Sequence, residues 1–237
     1  IKALKFAGIK LLTKSEGEID DLRAGFKGTM NAMFLADLAV KTHRGLRGRV
    51  VAGRSAGGRA FGYDIVREVD AHGEPIRGGM QINPSEASTV RRIFDMFAAG
   101  HSPIAIAHAL NAEGVAGPDG NAWRDTTIRG HAKRGTGILR NELYIGRRVW
   151  NRMHYLKDPS TGKRVSRMNA ADQRQVTEVA TLRIVDQALW ERVQARLEGI
   201  RAKSGADKPD RPQFGAHRAA AHLLTGKLFC GACDGAM

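Results

Sequence analysis

Cys230-Gly-Ala-Cys233 stands inside LLTGKLFCGACDGAM, the last stretch of the sequence. Two thiolates at that spacing bind one zinc ion, and a closed structural site takes about four ligands, so this pair supplies half of one. His217 and His222 are nearby imidazoles, but five positions apart in an alanine-rich stretch they suit an exposed helix better than a chelate. A redox CxxC needs a thioredoxin-like strand and helix around it, and the flanking sequence has none. Ser15 and Ser55 each sit near glycines and positive charge. Neither has the base or arginine clamp beside it that a nucleophile requires.

The larger chemical signal is cationic. Among 237 residues there are 38 Lys+Arg against 24 Asp+Glu, a formal net charge of +14. That balance suits a polyanion, and nucleic acid is the first partner it implies. No apolar run approaches the roughly 18–20 residues of a membrane span, and no secretory segment opens the chain, so a cytoplasmic protein is expected. The basic excess is clustered. Between Asp37 and Asp64 there is no acidic residue, while Lys41, Arg44, Arg47, Arg49, Arg54 and Arg59 fall in that window. A second stretch holds Arg124, Arg129, Lys133, Arg134, Arg140, Arg147, Arg148, Arg152 and Lys157 against Asp125 and Glu142 alone. A solvated charged face is the bland alternative for either stretch taken singly.

The elements that must position these charges are mainly helical. GIKLL reads as a strand followed by a polar glycine turn. From about Asp21 to Arg54 there is no proline, and Phe26, Met30, Met33, Phe34 and Leu38 recur at three and four, which predicts one long helix, apolar early and basic late. Gly45 and Gly48 weaken its second half by about 1 kcal/mol each relative to alanine. A hairpin is expected within 65–82. Asn83-Pro84 with Glu86 starts a helix whose buried stripe is Ala87, Val90, Phe94 and Phe97. Ser102-Pro103 starts a second helix, closed at Gly114. Asp125 is read as the cap of a third, TTIRGHAKR, leading into GILRN.

Three short helices with tight turns, the last rich in arginine, match a helix-turn-helix. An ordinary three-helix core that binds nothing is the alternative. Tyr144–Trp150 and KRVSR are expected to pair across DPSTG as a basic wing. Asp186 caps a further helix lined by Leu189, Trp190, Val193 and Leu197, and residues 203–216 read as a linker.

In this order the pieces resemble one family. GIKLLTKSEGEID is similar to the end of the catalytic domain of the large serine recombinases, the site-specific integrases and invertases of phages and mobile elements. LADLAVKTHRGLRGRVVAGRSAGGRAFGYD resembles their long helix and exit segment, with Phe61-Gly62-Tyr63. RIFDMFAAGHSPIAIAHALNAEGV and W…IRG…GILRNELYIGRRVWNR resemble the recombinase domain, and RIVDQALWERVQARL with LLTGKLFCGAC the approach to a zinc ribbon. Asp37 stands where many members carry glutamate, and Ala60 where proline often precedes FGY, departures that suggest a subgroup.

The resemblance implies an α+β fold, mainly helical. It divides into a catalytic-domain remnant over 1–25, a linker helix over 26–55, a DNA-binding domain over 56–202, a linker over 203–221 and the start of a zinc ribbon over 222–237. Both ends then read as cut: the family's nucleophilic serine would precede Ile1, and the second cysteine pair would follow Met237. It also implies that a tetramer cuts and rejoins duplex DNA through phosphoserine links without metal or nucleotide at the chemistry, zinc being purely structural.

On that reading Lys41, Arg44, Arg47, Arg49 and Arg54 follow the duplex, and Arg124, Arg129, Lys133 and Arg134 lie on or beside the recognition helix. Arg147, Arg148, Arg152, Lys163 and Arg164 on the hairpin neutralise phosphates. Met30, Met33 and Phe34 serve a dimer seam or a core. Two other readings stand beside it: a DNA-binding remnant or regulator without catalysis, and an RNA-binding protein. The second has little support, since aromatic residues make up 6% of the chain and no stacking platform is visible.

Overall fold

The computed structural model of the chain describes residues 4–203, leaving out 5, 11 and 16. The expected linker beyond Lys203, His217, His222 and the Cys230/Cys233 pair lie outside the described residues. The chain divides into two compact units, Ile1–Trp190 and Glu191–Met237. Over the described residues the fold is α+β: helices with four small two-stranded antiparallel sheets.

The first strands are minimal. β1 (Leu12–Thr13) pairs with β2 (Gly17–Glu18), and the expected strand over Gly8–Lys10 is not formed. Helix α1 follows as Asp21–Val51, with the Asp20 carboxylate accepting from the Arg23 N–H at 2.7 Å. It runs unbroken through Gly45 and Gly48, and nothing lies within 4 Å of a Cβ added at either. The apolar half of the helix is its exposed half. Phe26 is 65% exposed and Phe34 66%, with Met30, Met33 and Leu38 also exposed, whereas Val50 near the C-terminus is fully buried. Periodicity found the helix correctly, and its C-terminal half packs against the strand Gln175–Glu178.

Past α1, β3 (Tyr63–Val69) and β4 (Pro75–Ile82) form the expected hairpin, its turn closed by Asp70 accepting from the N–H groups of His72 and Glu74. Helix α2 (Pro84–Ala98) begins as its sequence dictates: the Asn83 side chain accepts from Glu86 N–H at 3.1 Å, with Pro84 in the first turn. Its buried stripe is Ala87, Val90, Ile93, Phe94 and Phe97. Helix α3 (Pro103–Ala112) repeats the device with Ser102. Asn111 then fastens α3 to the approach of the next helix, donating to the Trp123 carbonyl at 2.9 Å and accepting from its N–H at 2.7 Å. Helix α4 is Asp125–Arg129.

Strand β5 (Arg147–Trp150) pairs with β8 (Gln175–Glu178), and β6 (Met153–Lys157) with β7 (Arg164–Met168). Helix α5 (Gln187–Lys203) starts with the Asp186 carboxylate accepting from Leu189 N–H at 2.7 Å, and Leu189, Trp190, Val193 and Leu197 are buried as expected.

The core of the first unit gathers around Phe61-Gly62-Tyr63. The Tyr63 hydroxyl donates toward the carbonyls of Leu143 at 3.0 Å and Leu182 at 2.8 Å, tying β3 to two segments distant in sequence. Its ring stacks on Tyr144, whose own hydroxyl donates back to the Phe61 carbonyl at 2.9 Å. Burial pushes both phenols well above the usual tyrosine range. Gly62 has φ +96°, and a Cβ there would stand 3.0 Å from Ile184 Cδ1, so glycine fits a position closed on all sides. Its N–H donates to Glu86, which also pairs with Arg59. Replacing Tyr63 by Phe strips a donor from two carbonyls at once, and the expected loss is about 1–3 kcal/mol in urea denaturation. A change under about 0.5 kcal/mol would remove the hydroxyl from this role.

Candidate nucleic-acid interface

Helix α4 is shorter than the sequence predicts and starts one residue earlier. Arg124, exposed, occupies the N-cap position without a side-chain cap bond, so Asp125 lies inside the helix, where it pairs with Arg129 at 3.4 Å. The stop at Gly130 is steric. Gly130 has φ +64°, and a Cβ there would lie 1.5 Å from the Thr136 carbonyl oxygen. Gly137, at φ +89°, passes so close that its own Cβ would fall 2.3 Å from the Gly130 Cα. Two glycine backbones therefore cross, and His131–Thr136 becomes a tight turn closed by a bridge between its ends. Lys133 and Arg134 are thus exposed on this turn, beside α4 and not on it.

The wing is also corrected. Tyr144 belongs to a short 3-10 turn, Glu142–Ile145, and β5 does not pair with KRVSR but with β8. Asn151 breaks the strand with φ +61°, and Asn169 holds the break, its amide donating to the Asn151 carbonyl at 2.8 Å and side-chain oxygen at 2.9 Å. Arg147 and Arg148 consequently leave the DPSTG hairpin. Arg148 is 8% exposed, its guanidinium reaching Met80 Sδ at 3.5 Å, and burial holds its pKa below the ordinary arginine value. It is a core residue. Arg147 is exposed but already faces Glu142 at 3.2 Å and Glu178 at 3.9 Å.

Arg152 is half-buried between Glu142, at 2.6 Å, and Gly135, where a Cβ would lie 2.1 Å from its Nη1. Glu142 therefore fixes Arg152 against the turn that carries Lys133 and Arg134. Nothing in the local sequence signals this, since the three positions meet only through the fold.

The β6–β7 hairpin does carry exposed cations: Lys157, Arg164 and Arg167 on its strands and Lys163 in its turn. Arg164 lies over the Tyr155 ring, 3.9 Å from its centroid. The turn is built by Asp158, whose side chain accepts from the Thr161 hydroxyl and the Ser160 N–H, contacts that hold its carboxyl below the usual range. Arg167 was not among the sequence candidates; alternation opposite His154 is the signal that would have found it.

On α1, Lys41, Arg44 and Arg47 are exposed and Arg49 is half-buried; Arg54, three residues past its end, is half-buried as well. Arg54 faces Glu68 at 3.8 Å. Ser55 is buried, and its hydroxyl closes on the Gly57 backbone, so it offers no nucleophile.

These cationic segments adjoin one another. Arg152 touches the 131–136 turn, and two residues on, His154 shares a pocket of about 520 Å³ with His43 and Arg47 of α1. The His43 ring lies 4.8 Å from Trp150. The stretch Trp150–His154 is thus the meeting point of the turn, the hairpin and the basic half of the long helix. Among the described residues there is no cluster of three or more His, Cys, Asp or Glu suited to a metal ion, and no helix long and apolar enough to cross a membrane.

A cationic α+β module with three short helices and a basic hairpin is the class this geometry defines. Residues 84–199, just under half of the chain, match the family model described as Recombinase. No curated protein matches it. Two solved structures are similar to it. One is described as the crystal structure of an LSR–DNA complex, at 20% identity and a TM-score of 0.40, covering 83% of this chain and 48% of that one. The other concerns the sequence requirements of the Listeria innocua prophage attP site, also at 20% identity and a TM-score of 0.40, covering 83% of this chain and 63% of that one. The chain therefore spans about half to two thirds of the length of those structures.

Proposed function

We propose that the chain is the DNA-gripping part of a site-specific serine recombinase, whose whole protein cuts and rejoins duplex DNA through a phosphoserine intermediate. One observation carries this reading: three cationic segments from separate parts of the sequence adjoin at Trp150–His154. Arg124 and Arg129, at α4, are placed to reach base edges or phosphates; Lys133 and Arg134 on the turn, Lys163 and Arg164 on the hairpin, and Lys41, Arg44 and Arg47 on α1 neutralise phosphates. Arg54, Arg147 and Arg152 support this surface through their carboxylate neighbours, Arg49 lies half-buried beside them on α1, and Arg148 does not take part.

The match to the Recombinase family model supports the same reading. The solved structure described as an LSR–DNA complex names the kind of partner meant. Cys230 and Cys233 would furnish two thiolates of a structural zinc site, supported by their spacing alone. Met30, Met33 and Phe34, exposed on α1, are suited to self-association of the intact protein as a dimer or tetramer. A cytoplasmic location follows from a DNA substrate.

The test compares duplex DNA with single-stranded RNA of equal length at one salt concentration. Preference for the duplex is expected. Equal or tighter binding of RNA overturns the reading, and duplex binding without strand cleavage by any complete form of the protein would establish the non-catalytic alternative.

A further inference from the structure

We infer that the pocket at the foot of the hairpin receives one backbone phosphate of the bound duplex, held between Arg47 and Arg174. The inference rests on the DNA reading and assigns residues to it that neither the composition nor the helix-turn-helix pattern singles out. His43, His154 and Arg174 are new to the site.

The pocket is assembled from three places. Arg47 and His43 stand one turn apart on α1, Trp150 and His154 flank the Asn151 break, and Arg174 comes from the connection between β7 and β8. The supports are already made without a ligand. Asn169 is buried and binds Asn151 twice, engages His154 Nδ1, and accepts from Arg174 Nη2 through its carbonyl at 3.2 Å. Arg174 is therefore fixed in place on the pocket wall. Two guanidinium groups on one wall, Arg47 and Arg174, present charged donors of the kind an oxyanion takes.

Arg47 makes no ion pair among the described residues. Asp172 is the acid on the wall, opposed by two guanidinium groups, so the balance favours a single negative charge over a second. At about 520 Å³ the pocket is larger than a free phosphate and accommodates a phosphodiester with its flanking sugars. Trp150 and the His43 ring, 4.8 Å apart, give those sugars an apolar wall.

The experiment uses the full chain and a duplex in which single phosphates are replaced, one at a time, by neutral methylphosphonates. Wild-type protein is expected to lose about tenfold in affinity at one or two adjacent linkages. Arg47→Gln and Arg174→Gln are each expected to lose a similar factor on the natural duplex, to be indifferent to those same linkages, and to show a salt slope reduced by about 0.9. Arg47 is on an exposed helix surface, so its variant keeps the fold, and circular dichroism checks both. Variants that keep the wild-type slope and the wild-type response at every linkage overturn the assignment.

Failure of the DNA reading looks different: wild-type protein would not prefer the duplex at all. Inorganic phosphate titrated into the free protein then decides the pocket alone, through the imidazole resonances of His43 and His154. Saturable shifts in the wild type, lost in Arg47→Gln, keep the site; their absence ends it.

Discussion

Raising salt from about 50 to about 200 mM is expected to lower the affinity for duplex DNA by about 10³–10⁵-fold, if about 6–10 phosphates are neutralised. The exposed cations on α1, at α4, on the 131–136 turn and on the β6–β7 hairpin supply that number. Each phosphate contact releases condensed counterions, and the entropy of that release shrinks as bulk salt rises. Not every arginine counts equally. Arg147 faces Glu142 and Glu178, and Arg152 faces Glu142, so these two exchange one anion for another and contribute less than Lys163 or Lys133. Charge reversal at Lys41, Arg44 and Arg47 together should flatten the slope markedly, whereas Arg148→Met should leave it unchanged. Affinity measured by fluorescence anisotropy over that salt range settles the point: a flat response removes phosphate neutralisation as the source of binding.

Gly130→Ala is expected to cost about 3 kcal/mol or more, placing it among the severe single substitutions. Two penalties add. The residue has φ +64°, which alanine adopts at a cost, and the new methyl would lie 1.5 Å from the Thr136 carbonyl, inside the crossing with Gly137. The crossing cannot relax easily, since Ile138 and Leu139 next to it are buried in the core. For a chain of this size the midpoint of thermal unfolding should fall by roughly 6–12 °C. Gly45→Ala is the matched control: its Cβ meets nothing, it sits within α1, and a neutral or slightly stabilising result, up to about 1 kcal/mol, is expected. Melting of Gly130→Ala within about 1 °C of wild type would show that the turn is free to open. It would also remove the reason for Lys133 and Arg134 being held off the helix.

Local signals in this sequence were sufficient where their partners lie within a few residues. Asn83-Pro84, Ser102-Pro103 and Asp186 each satisfy orphan N–H groups of the first turn, and each starts a helix where expected. The three-and-four spacing of Ala87, Val90, Phe94 and Phe97 marks a buried stripe for the same reason, because one helix face repeats at that interval. The resemblance to recombinases over residues 84–199, the α+β class and the excess of positive charge were likewise readable before any fold was known.

Tertiary structure alone decided which cations are free and which are structural. Arg148 looks like its neighbour Arg147, yet β5 pairs with β8 across more than twenty residues, and that register turns one arginine into the core and the other outward. Asn151 carries no sequence mark of its positive φ; Asn169 imposes it from eighteen positions away. The apolar half of α1 shows the same limit from the other side. Its spacing reports that Phe26, Met30, Met33 and Phe34 share a face, but periodicity carries no information on what that face meets. Spacing fixes direction around a local axis, whereas burial and pairing depend on segments that only the folded chain brings together.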